Sequence, residues 1–319
     1  MSLKNFKVLA NGKIRNVAYE FLKNEVTLFD QQTEKMGKEK FDQLLQEADA
    51  FFCVNFPPIN EEFLQKAPKL KIVGQFSVGY DHIDLEACRR HNVKVTNTPG
   101  VLTDAVADLA YGLLIDSARK ISRAYNFVLA GTWGEKKAFG LTQSLANKTL
   151  GIIGMGDIGC AIAKRALASK MKIIYHNKHQ RADEKNFQAT FVSQEELLKT
   201  ADFVMLACSL NEGTLKLINK NTLDLMKPTA ALINISRGKV VDTDALYDAL
   251  KNKKIAYAAL DVTDPEPLPK DHKLLTLDNI TITPHMASAT KETRDEMAML
   301  VCKNILACLK GEPLLTEVK

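Results

Sequence analysis

Three side chains that could do acid–base and anion-binding chemistry each follow the end of an apolar run: Arg237, Glu266 and His285. A guanidinium offers paired donors to a carboxylate, and a histidine beside a carboxylate can transfer a proton near neutral pH. Each has an ordinary explanation when taken singly, as a solvated arginine, a Glu-Pro turn or a structural histidine. If the runs are strands of one parallel sheet, however, their carboxyl ends share the edge where ligands bind. The pattern therefore predicts that the three side chains converge.

A glycine-rich turn lies upstream, at the end of the apolar run Leu150–Ile153. Gly154, Gly156 and Gly159 have the G-x-G-x-x-G spacing, and a helix-forming segment follows them. Strand, glycine turn and helix form the context that a dinucleotide requires, with its pyrophosphate at the helix N-terminus. The predicted cofactor-binding residues at this turn are Gly154, Gly156, Asp157, Ile158 and Gly159.

The end of the next strand indicates which dinucleotide is bound. Sites for NAD usually place a carboxylate there to bind the ribose 2′-hydroxyl, but this chain has Asn177, with Lys178 and Arg181 close behind. Cationic side chains attract a 2′-phosphate. The three residues are therefore predicted to bind the cofactor, with NADP(H) favoured and NAD(H) possible. An ordinary basic surface loop would have the same composition.

Short apolar runs alternate with helical segments along the chain, which is typical of parallel sheets with helices on both faces. The alternation runs from Lys7 to Thr96 and resumes at Leu150. A chain of 319 residues is long for one domain and sufficient for two. The sequence thus predicts an α/β fold with two doubly wound parallel sheets.

Composition excludes several classes of function. With 46% hydrophobic and 25% charged residues and a net charge of +5, the chain resembles an ordinary globular protein. It has no basic block with interleaved aromatic residues, so we expect no nucleic-acid partner. It has no apolar run of membrane-spanning length and no signal-peptide core, so we expect no membrane association. Six scattered cysteines favour free thiols in a reducing compartment, the cytoplasm.

Residues 104–128 form one predicted long helix that is apolar on more than one face. A helix of this kind is usually buried, and a second subunit is one way to bury it. The segment therefore favours a homodimer. The alternative is a helix enclosed within a single chain.

Six ordered motifs, with a matching GEPL tail, resemble the D-isomer-specific 2-hydroxyacid dehydrogenase family, and within it most resemble the glyoxylate/hydroxypyruvate reductases. They are SVGYDHIDLEA, NTPGVLTDAVADLAYGLL, KTLGIIGMGDIG, INISRGKVVD, ALDVTDPEPLP and TPHMASAT. The resemblance implies a flavodoxin-like substrate domain (1–99 and 288–319), a Rossmann dinucleotide-binding domain (100–287) and a cleft between them. It also implies NADPH-dependent reduction of glyoxylate or hydroxypyruvate to glycolate or D-glycerate.

The resemblance also implies roles for individual residues. Arg237 would bind the carboxylate and carbonyl of a 2-oxo acid, His285 would donate the proton, and Glu266 would orient the imidazole. The backbone of Val78 and Gly79 would bind the substrate carboxylate, Ser288 would lie near substrate and nicotinamide, Asp261 would meet the nicotinamide amide, Thr103 would contact the cofactor, and Trp133 would reach a neighbouring subunit's pocket.

Two positions depart from the family pattern, and two other functions fit the same motifs. Asp108 stands where many members have glutamate, and Ala287 where glycine is usual; both changes bear on substrate size more than on activity. One alternative is an NAD-linked D-2-hydroxyacid dehydrogenase acting on D-lactate or a similar acid. The other is a dinucleotide-sensing scaffold like the C-terminal-binding-protein corepressors, which keep similar site residues.

Overall fold

A computed structural model describes residues 3–30, 36–134 and 138–319. The chain divides into two compact units, one formed by Met1–Leu102 with Ser288–Lys319 and the other by Thr103–Ala287. Each unit contains one sheet in which every strand pair is parallel. The prediction of two parallel α/β sheets is therefore confirmed. No helix in the described part of the chain has the length and apolar character needed to cross a membrane.

The strands are β1 (Lys7–Ala10), β2 (Thr27–Phe29), β3 (Ala50–Cys53), β4 (Ile72–Gln75), β5 (Lys94–Thr96), β6 (Thr149–Ile153), β7 (Lys172–His176), β8 (Ala189–Phe191), β9 (Phe203–Leu206), β10 (Ala231–Asn234), β11 (Tyr257–Leu260) and β12 (Ile280–Ile282). The helices are α1 (Asn16–Leu22), α2 (Lys38–Glu47), α3 (Glu61–Gln65), α4 (Leu85–Arg90), α5 (Thr103–Arg119), α6 (Ile121–Leu129), α7 (Asp157–Ala168), α8 (Gln194–Thr200), α9 (Lys220–Leu225), α10 (Thr243–Lys251) and α11 (Lys291–Lys310).

The first unit has a five-stranded sheet in the order β2-β1-β3-β4-β5. This is the flavodoxin-like order. Strands β3 and β4 are buried along their whole length, as expected where helices cover both faces. Helix α11 packs on β4 so closely that a Cβ atom on Gly74 would lie 2.7 Å from the side chain of Val301. The end of the chain therefore belongs to the core of the first unit.

The second unit has a seven-stranded sheet in the order β12-β11-β10-β9-β6-β7-β8. The chain proceeds from β6 through β7 to β8 in one direction, then returns to the centre at β9 and proceeds the other way. The switch point between β6 and β9 is where open sheets of this type bind ligands. The sequence did not predict β8, a three-residue strand at the edge of this sheet.

The prediction of one continuous helix over residues 104–128 is wrong. The segment breaks at Lys120, which adopts a left-handed conformation (φ +55°) between α5 and α6. The buried Asp116 carboxylate accepts hydrogen bonds from the Ser122 N–H (2.7 Å) and the Thr281 hydroxyl (2.6 Å), and so holds the start of α6. Helix α5 packs against β10, β11 and α7, whereas α6 has no buried residue. The apolar residues of the segment therefore belong to two different helices, α5 in the core and α6 on the surface.

Candidate active site

The arginine, the glutamate and the histidine that the sequence predicts to converge follow three adjacent strands. Arg237 follows β10, Glu266 follows β11 and His285 follows β12, and these parallel strands end at one edge of the sheet. The Nδ1 atom of His285 lies 2.5 Å from Oε1 of Glu266. Both side chains remain partly exposed, at 37% and 39% respectively. An acid–base pair therefore stands at the ligand-binding edge of the sheet, within reach of solutes.

Asp261 fixes the loop that carries His285. Its buried carboxylate accepts hydrogen bonds from the Thr283 hydroxyl (2.6 Å) and from the N–H groups of Met286 and Ala287 (both 2.9 Å). His285 itself adopts a positive φ of +50° within this loop. The structure thus gives Asp261 a positioning contact that sequence reasoning missed; an aspartate placed directly after a buried strand was the available signal.

The Glu266 carboxyl is ionised at neutral pH. Burial alone would raise its pKa, but the hydrogen bond and charge of His285, the Thr263 N–H and the charge of Arg237 together lower the pKa below its usual value. The Thr263 N–H lies 3.3 Å from the second carboxylate oxygen. A carboxylate can only accept hydrogen bonds, so Nδ1 of His285 carries the proton between the two side chains. The Nε2 atom of His285 is then the ring nitrogen that could transfer a proton to a substrate.

A tight turn positions Arg237. The buried Asn234 side chain donates to the Arg237 carbonyl (2.9 Å) and accepts from both the N–H and the hydroxyl of Ser236 (3.0 and 2.8 Å). At Gly238 an added Cβ would lie 1.9 Å from the Thr263 carbonyl oxygen. The Arg237 turn therefore packs directly against the loop that carries Glu266. Sequence reasoning missed Asn234, although a polar residue ending an apolar strand could have indicated it.

The glycine turn after β6 leaves room for a phosphate. Gly154 has φ +96°, and an added Cβ there would lie 2.4 Å from the backbone nitrogen of Cys208. At Gly159 a Cβ would lie 2.6 Å from the Gly154 carbonyl, whereas at Gly156 no atom lies within 4 Å. Helix α7 begins after Gly156 without a side-chain cap, so its first N–H groups adjoin this open space. These features fit a dinucleotide pyrophosphate, which would be held by the backbone from Gly156 to Gly159.

We expect Gly156→Ala to weaken dinucleotide binding without weakening the fold. The methyl group would occupy the open space and separate a phosphate from its N–H donors. Losing a hydrogen bond to a charged group costs about 1.5–3 kcal/mol, so the NADP⁺ dissociation constant should rise about tenfold or more. Calorimetric titration measures this constant, and thermal unfolding checks the fold.

Gly154→Ala is the matched control for that substitution. Its methyl group meets backbone in a left-handed conformation, so the free energy of unfolding should fall by about 3 kcal/mol. Normal NADP⁺ binding by Gly156→Ala, or a loss of stability equal to that of Gly154→Ala, would contradict the assignment of Gly156 to the phosphate site.

The segment after β7 holds the glycine turn. Asn177 accepts a hydrogen bond from the Met155 N–H (2.7 Å) and donates to the Met155 carbonyl (3.3 Å). Arg181 donates to the same carbonyl (3.1 Å) and pairs through two nitrogens with both oxygens of Asp183, each at 2.8 Å. Lys178 is exposed. The structure thus joins two of the predicted 2′-phosphate residues to the glycine turn, and adds Asp183, which sequence reasoning missed.

The other predicted site residues lie in both units. In the first unit, the Val78 carbonyl accepts from the Asn97 amide (2.9 Å) and the Gly79 carbonyl from the Ser77 hydroxyl (2.5 Å). These bonds fix the loop; among the described residues, no acceptor contacts the N–H of Val78 or Gly79. Three residues are placed singly: Ser288 begins the second segment of the first unit, Thr103 begins α5 in the second unit, and Trp133 follows α6 with 78% of its surface exposed.

A glycine turn at the centre of a doubly wound sheet, with an Arg–Glu–His group on its ligand-binding edge, defines a protein of the Rossmann dinucleotide-binding class. The family model described as "D-isomer specific 2-hydroxyacid dehydrogenase, NAD binding domain" matches residues 111–287. The chain belongs to the D-isomer specific 2-hydroxyacid dehydrogenase family, as its motifs predicted. It is accordingly an oxidoreductase that uses a nicotinamide dinucleotide.

Named relatives are similar over most of their length. The chain is 44% identical to a glyoxylate reductase of Pyrococcus furiosus, covering 90% of this chain and 87% of that one. It is also 44% identical to the human glyoxylate reductase/hydroxypyruvate reductase, covering 85% and 84%. A solved structure of an NADPH-dependent glyoxylate/hydroxypyruvate reductase from Sinorhizobium meliloti, in complex with NADP and malonate, matches with a TM-score of 0.87 and 32% identity, covering 98% and 97%.

Proposed function

We propose that this protein is an NADPH-dependent reductase of small 2-oxo acids, with glyoxylate and hydroxypyruvate as its first substrates. The observation that carries the proposal is the His285–Glu266 pair at 2.5 Å, on the same sheet edge as Arg237. This group combines a proton donor with a cation for an anionic substrate. The names of the relatives, which are reductases of these acids at 40–47% identity, support the choice of substrate.

In the proposed reaction, Arg237 binds the 2-oxo acid and His285 protonates its carbonyl oxygen. The Arg237 guanidinium binds the carboxylate with paired donors and polarises the adjacent carbonyl. His285 donates a proton from Nε2 to the carbonyl oxygen, while ionised Glu266 holds Nδ1 and stabilises the imidazolium before transfer. NADPH, when bound, supplies the hydride that reduces the carbonyl carbon. The product is the 2-hydroxy acid.

The proposed preference for NADPH rests on the segment after β7. Asn177 replaces the carboxylate that would repel a 2′-phosphate, and Lys178 and Arg181 bring positive charge to the same segment. An aspartate at position 177 could accept from the Met155 N–H but could not donate to its carbonyl. The asparagine therefore suits both the glycine turn and a phosphate.

Initial rates of NADPH and NADH oxidation test this function. The substrates are glyoxylate, hydroxypyruvate and pyruvate, each with both cofactors. We expect kcat/KM to be highest for glyoxylate or hydroxypyruvate with NADPH. Higher kcat/KM with NADH would contradict the cofactor assignment, and higher kcat/KM with pyruvate would instead favour a D-lactate-type dehydrogenase. Absence of turnover despite cofactor binding would favour a scaffold.

We also propose that the protein forms a homodimer through α6. Ile121, Tyr125 and Leu129 on this helix are 55%, 64% and 66% exposed, and none of its residues is buried. Large apolar side chains grouped in this way mark an interaction surface. Light scattering should give twice the chain mass of 35.4 kDa. A monomer at micromolar concentration would contradict this proposal.

A further inference from the structure

Arg181 is held in one place by three hydrogen bonds. Its Nε and Nη2 atoms donate to the two oxygens of Asp183, and its Nη1 atom donates to the Met155 carbonyl. The guanidinium also lies 5.9 Å from the centre of the Phe187 ring. A guanidinium has five N–H groups, so two remain for another ligand. Arg181 is thus fixed against the glycine turn yet can still bind an anion.

Asp183 opposes the charge that Arg181 brings to this segment. The pair is bidentate, with side chains that are 27% and 43% exposed. The hydrogen bond and the charge of Arg181 lower the pKa of Asp183, so the carboxylate is ionised at neutral pH. A ligand phosphate therefore meets a guanidinium whose charge is largely balanced. A ribose without a phosphate has no charge to be repelled by Asp183.

We propose that Asp183 is a positioning residue that limits the discrimination between NADPH and NADH, because its carboxylate holds Arg181 and balances its charge. This inference rests on the proposed function, in which Lys178 and Arg181 attract the 2′-phosphate. Asp183 keeps that attraction moderate, so the protein accepts both cofactors while favouring NADPH. Asp183 acts through Arg181 and has no direct part in the reaction.

The test compares wild type with Asp183→Asn and Asp183→Ala. Two quantities are measured: the dissociation constants of NADP⁺ and NAD⁺ by calorimetric titration, and the NADPH-to-NADH ratio of kcat/KM with glyoxylate. Both variants remove the negative charge, so the affinity for NADP⁺ and the ratio should each rise about fivefold, with NAD⁺ affinity little changed. The gain should shrink at high ionic strength, because the pair is partly exposed.

Two variants test whether the effect comes from the charge at position 183 in particular. Asp183→Glu keeps the charge and should return both quantities towards wild type. Glu184→Gln removes a neighbouring charge whose carboxylate bonds Tyr175 and Gln180 (2.7 and 2.8 Å); it should leave the ratio unchanged. In an Arg181→Ala background, Asp183→Asn should have no effect on the ratio, as a double-mutant cycle requires if the two residues act as a unit.

Several outcomes would overturn the inference. They are an unchanged or lower NADP⁺-to-NAD⁺ affinity ratio in both neutral variants, an equal gain in Glu184→Gln, or a gain that persists without Arg181. If Asp183 had a purely structural role, its substitution would weaken the binding of NADP⁺ and NAD⁺ equally and leave the ratio of the two affinities unchanged. Failure of the proposed function can be distinguished from failure of this inference. If the wild-type protein prefers NADH, or fails to reduce glyoxylate, the neutral variants should still show an increased NADP⁺-to-NAD⁺ affinity ratio.

Discussion

His285→Gln is expected to lower kcat for glyoxylate reduction about 10³-fold while the affinity for NADPH stays unchanged. Glutamine fills a similar space and can hydrogen-bond to Glu266, but it cannot supply a proton to the carbonyl oxygen. General acid catalysis contributes about 10²–10⁴-fold in enzymes, which sets the size of the loss. The measurement is initial-rate kinetics with NADPH, together with a fluorescence titration of NADPH binding.

Glu266→Gln is the companion variant, because it removes the charge that holds the imidazole but keeps the proton donor. Its activity should fall less than that of His285→Gln. The imidazole would lose the ionised partner that holds Nδ1 and orients the ring, so kcat should fall while KM for glyoxylate changes little. Substantial turnover by His285→Gln, or an unchanged kcat in Glu266→Gln, would remove this pair from the proposed proton transfer.

Arg237→Ala is expected to raise KM for glyoxylate and to lower kcat. The substitution removes paired charge-assisted hydrogen bonds worth about 1.5–3 kcal/mol each, so kcat/KM should fall about 10²- to 10⁴-fold. Since the guanidinium also polarises the carbonyl, the loss should appear in kcat as well as in KM. Steady-state kinetics over a wide range of glyoxylate concentration measures both parameters.

Arg237→Lys separates charge from geometry in that result. A lysine keeps the positive charge but lacks the planar pair of N–H donors. The kcat/KM of Arg237→Lys should therefore be only about tenfold higher than that of Arg237→Ala and remain below wild type. Because Arg237 stands on a turn fixed by Asn234, thermal unfolding of both variants should match wild type. An unaltered KM in Arg237→Ala would show that substrate binds elsewhere.

The ligand-binding edge of the second sheet could be predicted from the sequence, because it depends only on strand order and strand direction. Parallel strands place their carboxyl ends together, and Arg237, Glu266 and His285 each follow an apolar run by a few residues. The sequence predicts strands over 230–235, 256–261 and 280–283; these exceed the observed β10 and β11 by one residue at each end and β12 by one residue at its C-terminal end. The convergence of the three side chains was therefore predictable from chain order and strand polarity, whereas the pairing of Glu266 with His285 was implied by the family resemblance.

Side-chain contacts for which several nearby partners are possible could not be predicted in this way. Asn177 was predicted from the missing carboxylate after a strand and Arg181 from its positive charge, yet the structure also joins both to Met155. The pairing of Arg181 with Asp183 depends on a rotamer that spacing does not specify. Likewise, the helix break at Lys120 depends on which N–H and hydroxyl groups donate hydrogen bonds to the buried Asp116 carboxylate. Such features follow from side-chain packing, which hydrophobic periodicity does not encode.

The most direct test of the account is a crystal structure of the protein with NADP⁺ and oxamate, an unreactive analogue of a 2-oxo acid. We expect the Arg237 guanidinium to bind the oxamate carboxylate, and His285 Nε2 to lie within about 3 Å of the oxamate amide carbonyl oxygen. Oxamate bound away from both side chains, or His285 turned from it with Nδ1 no longer on Glu266, would contradict the proposed reductase.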